Sequence, residues 1–390
     1  MMNDRERFRA VCRGERADYV PIFGMPGAPG MASGCMQPIH ERLVAGGMPS
    51  DVGGVYDVNY KFHDVDGWNR YWGTTGPVSV DFFPAERSKG IRTEKRIEGE
   101  WEIVESETGA RTRQVLNNAV TYSMPHFEVY DVRDRKSWEF LRDRRTPGPK
   151  WSAERVEEAC RRLDDRTRPL VIGLGGTWGL LRGLMGPVAA STVLYDDPEL
   201  AHEILDWHQW RRREYLFPLI ERLRPEIVQC GEDCCFNHGM LLSPKAFEEF
   251  CAPAYREIAG VARDCGAEMT AIDTDGNAME FTGVVAACGV NAIFPFEVKA
   301  GNDLFALRER HPEFILMGWL EKEVVNEGNG HLIRGEIMSK VPPLLAKGRY
   351  FPNGDHGIQP GITFGNLCKF MTLLHEVCGN PEGTFPRIPC

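Results

Sequence analysis

Met269-Thr270-Ala271-Ile272-Asp273-Thr274-Asp275-Gly276-Asn277 joins a short apolar run to two carboxylates spaced i, i+2 and then to Gly-Asn. The run predicts a β-strand. Strand side chains alternate faces, so Asp273 and Asp275 point the same way if the strand geometry persists. Gly276 allows a turn with positive φ directly after them. A polar cluster at the carboxyl end of a strand is where barrels and open α/β sheets keep their chemistry. The alternative is an Asp/Asn-rich turn that caps the following helix. The remainder of the chain decides between the two.

Further short apolar runs occur at Leu170–Leu174, Ile227–Gly231, Ala292–Pro295, Phe314–Met317 and Tyr350–Pro352, with helical patterns between them from about residue 137 onward. Asp197-Pro198 and Ser243-Pro244 each put a capping side chain before a proline in the first helical turn. This alternation argues for parallel strands with helical crossovers. Val20–Phe23 reads as a first strand, and one early strand that the pattern does not locate brings the count close to eight. The expected fold is therefore an α/β (β/α)8 TIM-type barrel, with an open doubly wound sheet as the alternative. A single barrel domain is expected over residues 1–390. Residues 3–14 add an amphipathic N-terminal helix with Phe8, Val11 and Cys12 on one side. Residues 96–130, with a turn at Glu107-Thr108-Gly109-Ala110, read as a β-hairpin excursion.

The formal net charge of −10 and the lack of a basic cluster argue against a nucleic-acid partner. No apolar run approaches ~20 residues, so no membrane span is expected. The charged start, Met1 to Arg9, does not resemble a secretory signal, and a cytoplasmic location is expected. The 12 cysteines are scattered and form no C-x-x-C, so zinc ribbons and iron–sulfur clusters are not expected. They read as free thiols in a reducing compartment, mostly in the core, a load suited to anaerobic metabolism.

If the strands close a barrel, their carboxyl ends converge on one pocket. Those ends carry Met25, the run Gly175-Gly176-Thr177-Trp178, Glu232-Asp233, Asp273 and Asp275, Phe296, Trp319 and Lys322, and Asp355-His356. Carboxylates at such density raise one another's pKa unless a cation sits among them. Either Glu232, Asp273, Asp275 and His356 hold a divalent metal, with zinc one choice, or a carboxyl stays protonated near neutrality and acts as a general acid. Against this, Glu232 and Asp233 could simply cap a helix start. His356 could bond backbone in a turn, and Trp178 could be core. Lys322 could hold a carboxylate or phenolate, or lie along the surface. Met25, Phe296 and Trp319 are candidate walls of an apolar substrate site, and Trp178, Lys322 and Asn277 are further candidate substrate contacts.

The chain resembles the uroporphyrinogen decarboxylase superfamily over nearly its whole length. The resemblance is carried by Asn3 to Phe8 through Gly14, Ala17-Asp18-Tyr19-Val20-Pro21, Leu170 to Leu180, Leu242 to Phe247, Asp275-Gly276-Asn277 and Asp355-His356-Gly357-Ile358-Gln359-Pro360. It implies a distorted (β/α)8 barrel and one of two chemistries. In the porphyrinogen decarboxylases, an arginine-bearing loop after the first strand holds the substrate carboxylates. Here that loop reads Met25-Pro26-Gly27-Ala28-Pro29-Gly30 and has no basic residue. In the corrinoid-serving methyltransferases, zinc is held through His-x-Cys and a later Cys. Here the first pair is Asp273-x-Asp275, so a thiol substrate is disfavoured.

The resemblance thus implies a methyltransferase that moves a methyl group from a small donor, such as a methoxylated aromatic, to a corrinoid on a partner protein. Asp273, Asp275, Glu232 and His356 are the expected catalytic residues. The alternatives are a decarboxylase of a smaller substrate, with Asp275 or His356 as proton donor, and a non-catalytic binding barrel. The oligomeric state is left open, a homodimer being one option.

Overall fold

The computed structural model describes residues 1–25, 30–56, 62–80, 87–88, 91–116, 125–146 and 150–390. The loop expected over residues 25–33 lies partly outside these, as does the strand expected over 111–122. The helices that position the site are α1 (Asp4–Arg13), α2 (Trp178–Met185), α3 (Pro198–Arg211) and α4 (Ala252–Asp264).

A parallel sheet of seven strands forms the frame, in the spatial order β11-β10-β9-β8-β7-β6-β1. The strands are β1 (Val78–Ser79), β6 (Leu170–Gly173), β7 (Ile227–Gly231), β8 (Met269–Thr274), β9 (Ala292–Pro295), β10 (Ile315–Leu320) and β11 (Tyr350–Gly354). The eighth position is held by the expected first strand, reduced to a parallel bridge between Phe23 and Thr75. On its other side, Asn353 Nδ2 of β11 donates to the Phe23 carbonyl, 3.3 Å away. The fold is the expected TIM-type α/β barrel. The strand missing from the sequence reading is β1, two residues long, which pairs with Leu170 and Val171 of β6.

Alternation places one side chain in two inside the barrel. Phe23, Val171, Ile227, Met269, Ala271, Phe294, Ile315, Met317 and Phe351 form one buried cluster. The Ile172, Val228, Ile272, Ile293 and Leu316 side chains belong to a second cluster with the surrounding helices. The runs are apolar on both faces, as strands covered on both sides must be.

Helix α1 begins with a capping box between Asn3 and Glu6 and ends at Gly14, at φ 72°. Its apolar face, Phe8, Val11 and Cys12, joins the interior cluster, with the Phe8 ring 4.9 Å from Phe23 and 5.4 Å from Phe351. Arg5 and Arg9 meet Glu226 just before β7, and Arg13 meets Glu268 just before β8. These contacts place α1 across the amino ends of the strands and leave the carboxyl ends for the site.

The excursion before the main rhythm is larger than a hairpin. It is a four-stranded antiparallel sheet, β2 (Thr93–Glu98), β3 (Trp101–Ser106), β4 (Arg111–Val115) and β5 (His126–Val129), paired in chain order. One of the added turns falls at Gly99, with φ 62°, inside the stretch expected to be a single strand. Asp197 and Ser243 cap their helices as expected, accepting from Leu200 and Ala246 backbone N–H groups. All 12 cysteines are free; nine are buried, Cys160 and Cys265 are half-buried, and Cys390 is exposed.

Candidate active site

Strand β8 carries Asp273 to the rim, where it stands opposite Gly231 of β7 and Phe294 of β9. Its carbonyl accepts from the Glu232 N–H, which joins the two strand ends. The chain then turns at Gly276, with φ 79°. A Cβ at this position would lie 2.6 Å from the Phe236 backbone, so only glycine fits both the angle and the contact. The turn brings Asp275 back toward the rim, where His356 Nε2 lies 3.4 Å from Asp275 Oδ1. Lys322 Nζ stands 3.3 Å from Glu297 Oε1 and 3.6 Å from Asp355 Oδ1. Arg182 on α2 is 2.6 Å from Asp233 Oδ2.

Asp233, Asp275, Glu297 and Asp355 thus each face a cation, Lys322 serving the last two. Burial pushes the Asp275 carboxyl up, but the ion pair with His356, helped by Lys322 and Arg182, outweighs it and holds the group below its ordinary value. His356 is raised in turn by Asp275. Their side chains are 46 % and 36 % exposed, so water damps both shifts. Asp273 has no such cation. Burial, then the like charges of Asp275 and Asp233, raise its pKa to about 7, with only His356 opposing.

Glu232 is deeply buried. Its carboxylate accepts from the backbone N–H of Thr177, from Gly179 N at 2.6 Å and from the Tyr255 hydroxyl on α4. Burial raises its pKa against those bonds. Arg212 holds the other side of the same loop, donating to the carbonyls of Leu174 and Gly175 and to Thr177 Oγ1. It opens a π-helical turn, Arg212–Leu216, at the end of α3. The glycine loop 175–179 is therefore fixed from both faces. Beside it lies a cleft of 340 Å³ lined by Gly176, Gly179, Arg182, His208, Asp233 and Asp273 among others.

The structure brings Asp273, Asp275, His356 and Lys322 together and assigns other work to the remaining candidates. Glu232 does not join a metal set, because its oxygens are taken by loop N–H groups and Tyr255. Among the described residues no group of three or more His, Cys, Asp or Glu side chains is placed to hold a metal ion. The expected zinc set of Glu232, Asp273, Asp275 and His356 therefore does not fit. Trp178, Phe296 and Trp319 do not wall the cleft. All three are buried in the outer core, and the Trp319 indole donates to the Asn302 carbonyl at 2.7 Å. Asn277 braces the turn, donating to the Ala300 carbonyl and accepting from the Met279 N–H. Met25 lies in the barrel interior cluster beneath the rim. Arg182, His208, Arg212 and Tyr255 were missed because they come from helices rather than strand ends. Two polar groups four apart, His208 and Arg212, on an otherwise apolar helix face were the available signal.

The sequence model of the family "Uroporphyrinogen decarboxylase (URO-D)" matches residues 119–377, well over half of the chain. The chain belongs to the uroporphyrinogen decarboxylase family. The matched span carries six of the barrel strands and every rim residue from Gly175 to His356. No curated protein sequence matches the chain. A solved "methyltransferase from Methanosarcina mazei" is similar in fold, with a TM-score of 0.56 at 15 % identity, covering 97 % of this chain and 99 % of that one.

Proposed function

We propose that this member of the uroporphyrinogen decarboxylase family is a methyltransferase that moves a methyl group from a methoxylated aromatic to a corrinoid carried by a partner protein. The observation that carries the reading is Asp273, a carboxyl with no cation of its own, half-protonated near neutrality at the rim of the barrel. Breaking an aryl methyl ether releases a phenolate with a pKa of ~10, a poor leaving group. The Asp273 carboxyl hydrogen-bonds the ether oxygen. As the methyl carbon–oxygen bond breaks, its electron pair goes to oxygen and the Asp273 proton follows, so that a neutral phenol leaves. General acid help of this kind is worth about 10²–10⁴ in rate. His356, its pKa raised by Asp275, faces the carboxylate that remains, and when protonated it limits the repulsion from Asp233. The corrinoid, when its carrier docks at the barrel mouth, supplies the nucleophile that takes the methyl group. In this reading the Asp273 proton activates the leaving oxygen.

A second reading has specific support. The family's namesake reaction and the retained His356 favour decarboxylation of a smaller acid, in which Asp273 or His356 would protonate the carbanion. One experiment separates the two. Purified protein, a cobalt(I) corrinoid protein and a panel of aryl methyl ethers are mixed anaerobically and the corrinoid spectrum is followed. Replacement of the cobalt(I) bands by those of the methylated corrinoid is the expected result. Release of CO2 from small aromatic or heterocyclic acids, without corrinoid and with no methylation from any ether, would overturn it in favour of the decarboxylase.

A further inference from the structure

His208 faces the cleft and has no part in the mechanism above. It lies on α3 four residues before Arg212, so the two side chains leave the helix on one face. Arg212 is fully bonded to the glycine loop. His208 reaches the same loop, with its ring 3.7 Å from the Cβ direction of Gly175, and makes no bond there. Neither ring nitrogen has a hydrogen-bond partner among the described residues, although the residue is only 5 % exposed. Buried polar groups are normally paired, so a fully open ring lining a cavity marks a bond that a ligand completes.

Burial, with Arg212 and Arg211 close by, drives the His208 pKa well below its ordinary value. The Gly176 backbone pulls the other way without reaching hydrogen-bonding geometry. The ring is therefore neutral and offers one N–H donor and one acceptor nitrogen. Glu232, Asp233 and Asp273 surround the same space, and Arg182 is already paired with Asp233. A carboxylate on the ligand would meet three acidic neighbours and no free cation. An uncharged oxygen would meet a matching donor or acceptor.

We propose that His208 is a substrate-binding residue whose ring hydrogen-bonds an uncharged hydroxyl or carbonyl of the molecule held between the glycine loop and Asp273. The proposal rests on the reading of this cleft as the methyl-donor site and narrows the donor class. The preferred donor is an aromatic ether with a second, neutral oxygen on its ring.

The test measures binding without turnover. Calorimetric titration at pH 6 compares 2-methoxyphenol with methoxybenzene, which lacks the hydroxyl. The native protein is expected to bind 2-methoxyphenol about tenfold more tightly, the worth of one hydrogen bond to a buried partner. His208→Phe is expected to abolish that preference while methoxybenzene binding is unchanged, and His208→Gln to restore part of it. Nitrogen NMR of histidine-labelled native protein is expected to show a ring shift with 2-methoxyphenol alone, and decides the matter if His208→Phe does not fold. Equal affinity for the two probes, binding of neither, or a preference that survives His208→Phe would overturn the proposal. A preserved preference in a protein that transfers no methyl group would instead sink the donor reading and leave His208 as a binding residue.

Discussion

Asp273 is raised by burial and by two carboxylates, and each effect can be removed by mutation. Because the acid form is the working one, turnover is expected to be highest on the acid side and to fall as pH rises through about 7. Asp273→Asn should cost about 10²–10⁴ in kcat and abolish that limb, read from a pH–rate profile. The same shift acts on stability. Below about pH 4 the carboxyl is protonated folded or unfolded, whereas between about 4 and 7 only the folded chain retains the proton. The contribution is therefore complete at low pH and lost as pH rises through 7. Asp273→Asn is expected to be more stable than the native protein at pH 8, by about 1–4 kcal/mol, and equal to it at pH 4, as urea unfolding would show. Gly276→Ala should cost roughly 1–3 kcal/mol and also displace Asp275, lowering turnover; melting temperature and activity measured together would detect both. At this scale the sequence is legible where spacing controls direction, as in Asp273-x-Asp275. It is not legible where a residue leaves a strand end in an unusual conformation. Phe296 and Trp319 lie at φ 57° and 68°, which turns side chains expected at the rim into the core.

Among the elements, the amino ends of α1, β6 and β7 meet at one carboxylate. Glu226 is fully buried and accepts from Arg5, Arg9, Arg166 and the Leu170 N–H. Burial pushes its pKa up, but Arg166, the Leu170 N–H and Arg5 prevail and hold it below the ordinary value. Its contribution to stability is thus present at neutral pH and lost as pH falls through that depressed value. Glu226→Gln is expected to cost about 1–3 kcal/mol at pH 7, because it removes the counter-charge of the half-buried Arg5, Arg9 and Arg166, and much less in acid. A denaturant series at two pH values would check this. The strands themselves were largely readable, since runs apolar on both faces have few other uses. The exceptions are informative. Val78–Ser79 is too short to show any period, and the four strands β2–β5 read as a two-stranded hairpin, in part because Gly99 lies within an alternating stretch.

On the scale of the whole molecule, the barrel has one closed end and one open end. Helix α1 seals the amino ends with Phe8, Val11 and Cys12, and the glycine loop, the β8 turn and the β11 end shape the other. Phe8→Ala is expected to cost ~3–5 kcal/mol through the cavity it leaves between Phe23 and Phe351, with rim chemistry preserved. Thermal melts beside kinetics would separate the two effects. Ring closure could not be read from the sequence, because it depends on a single bridge at Phe23 and one side-chain bond from Asn353.

The seal also bears on how the chain reaches this state. Its apolar face is synthesised before any strand of the barrel, yet Phe351, part of its seat, emerges more than three hundred residues later. Until β11 arrives, that face has no complete partner. Folding therefore depends on contacts of very high sequence separation, the kind that form late and leave hydrophobic surface open meanwhile. A barrel that still lacks β11 leaves the seat of Phe8 incomplete and its apolar surface open, the condition under which aggregation is favoured.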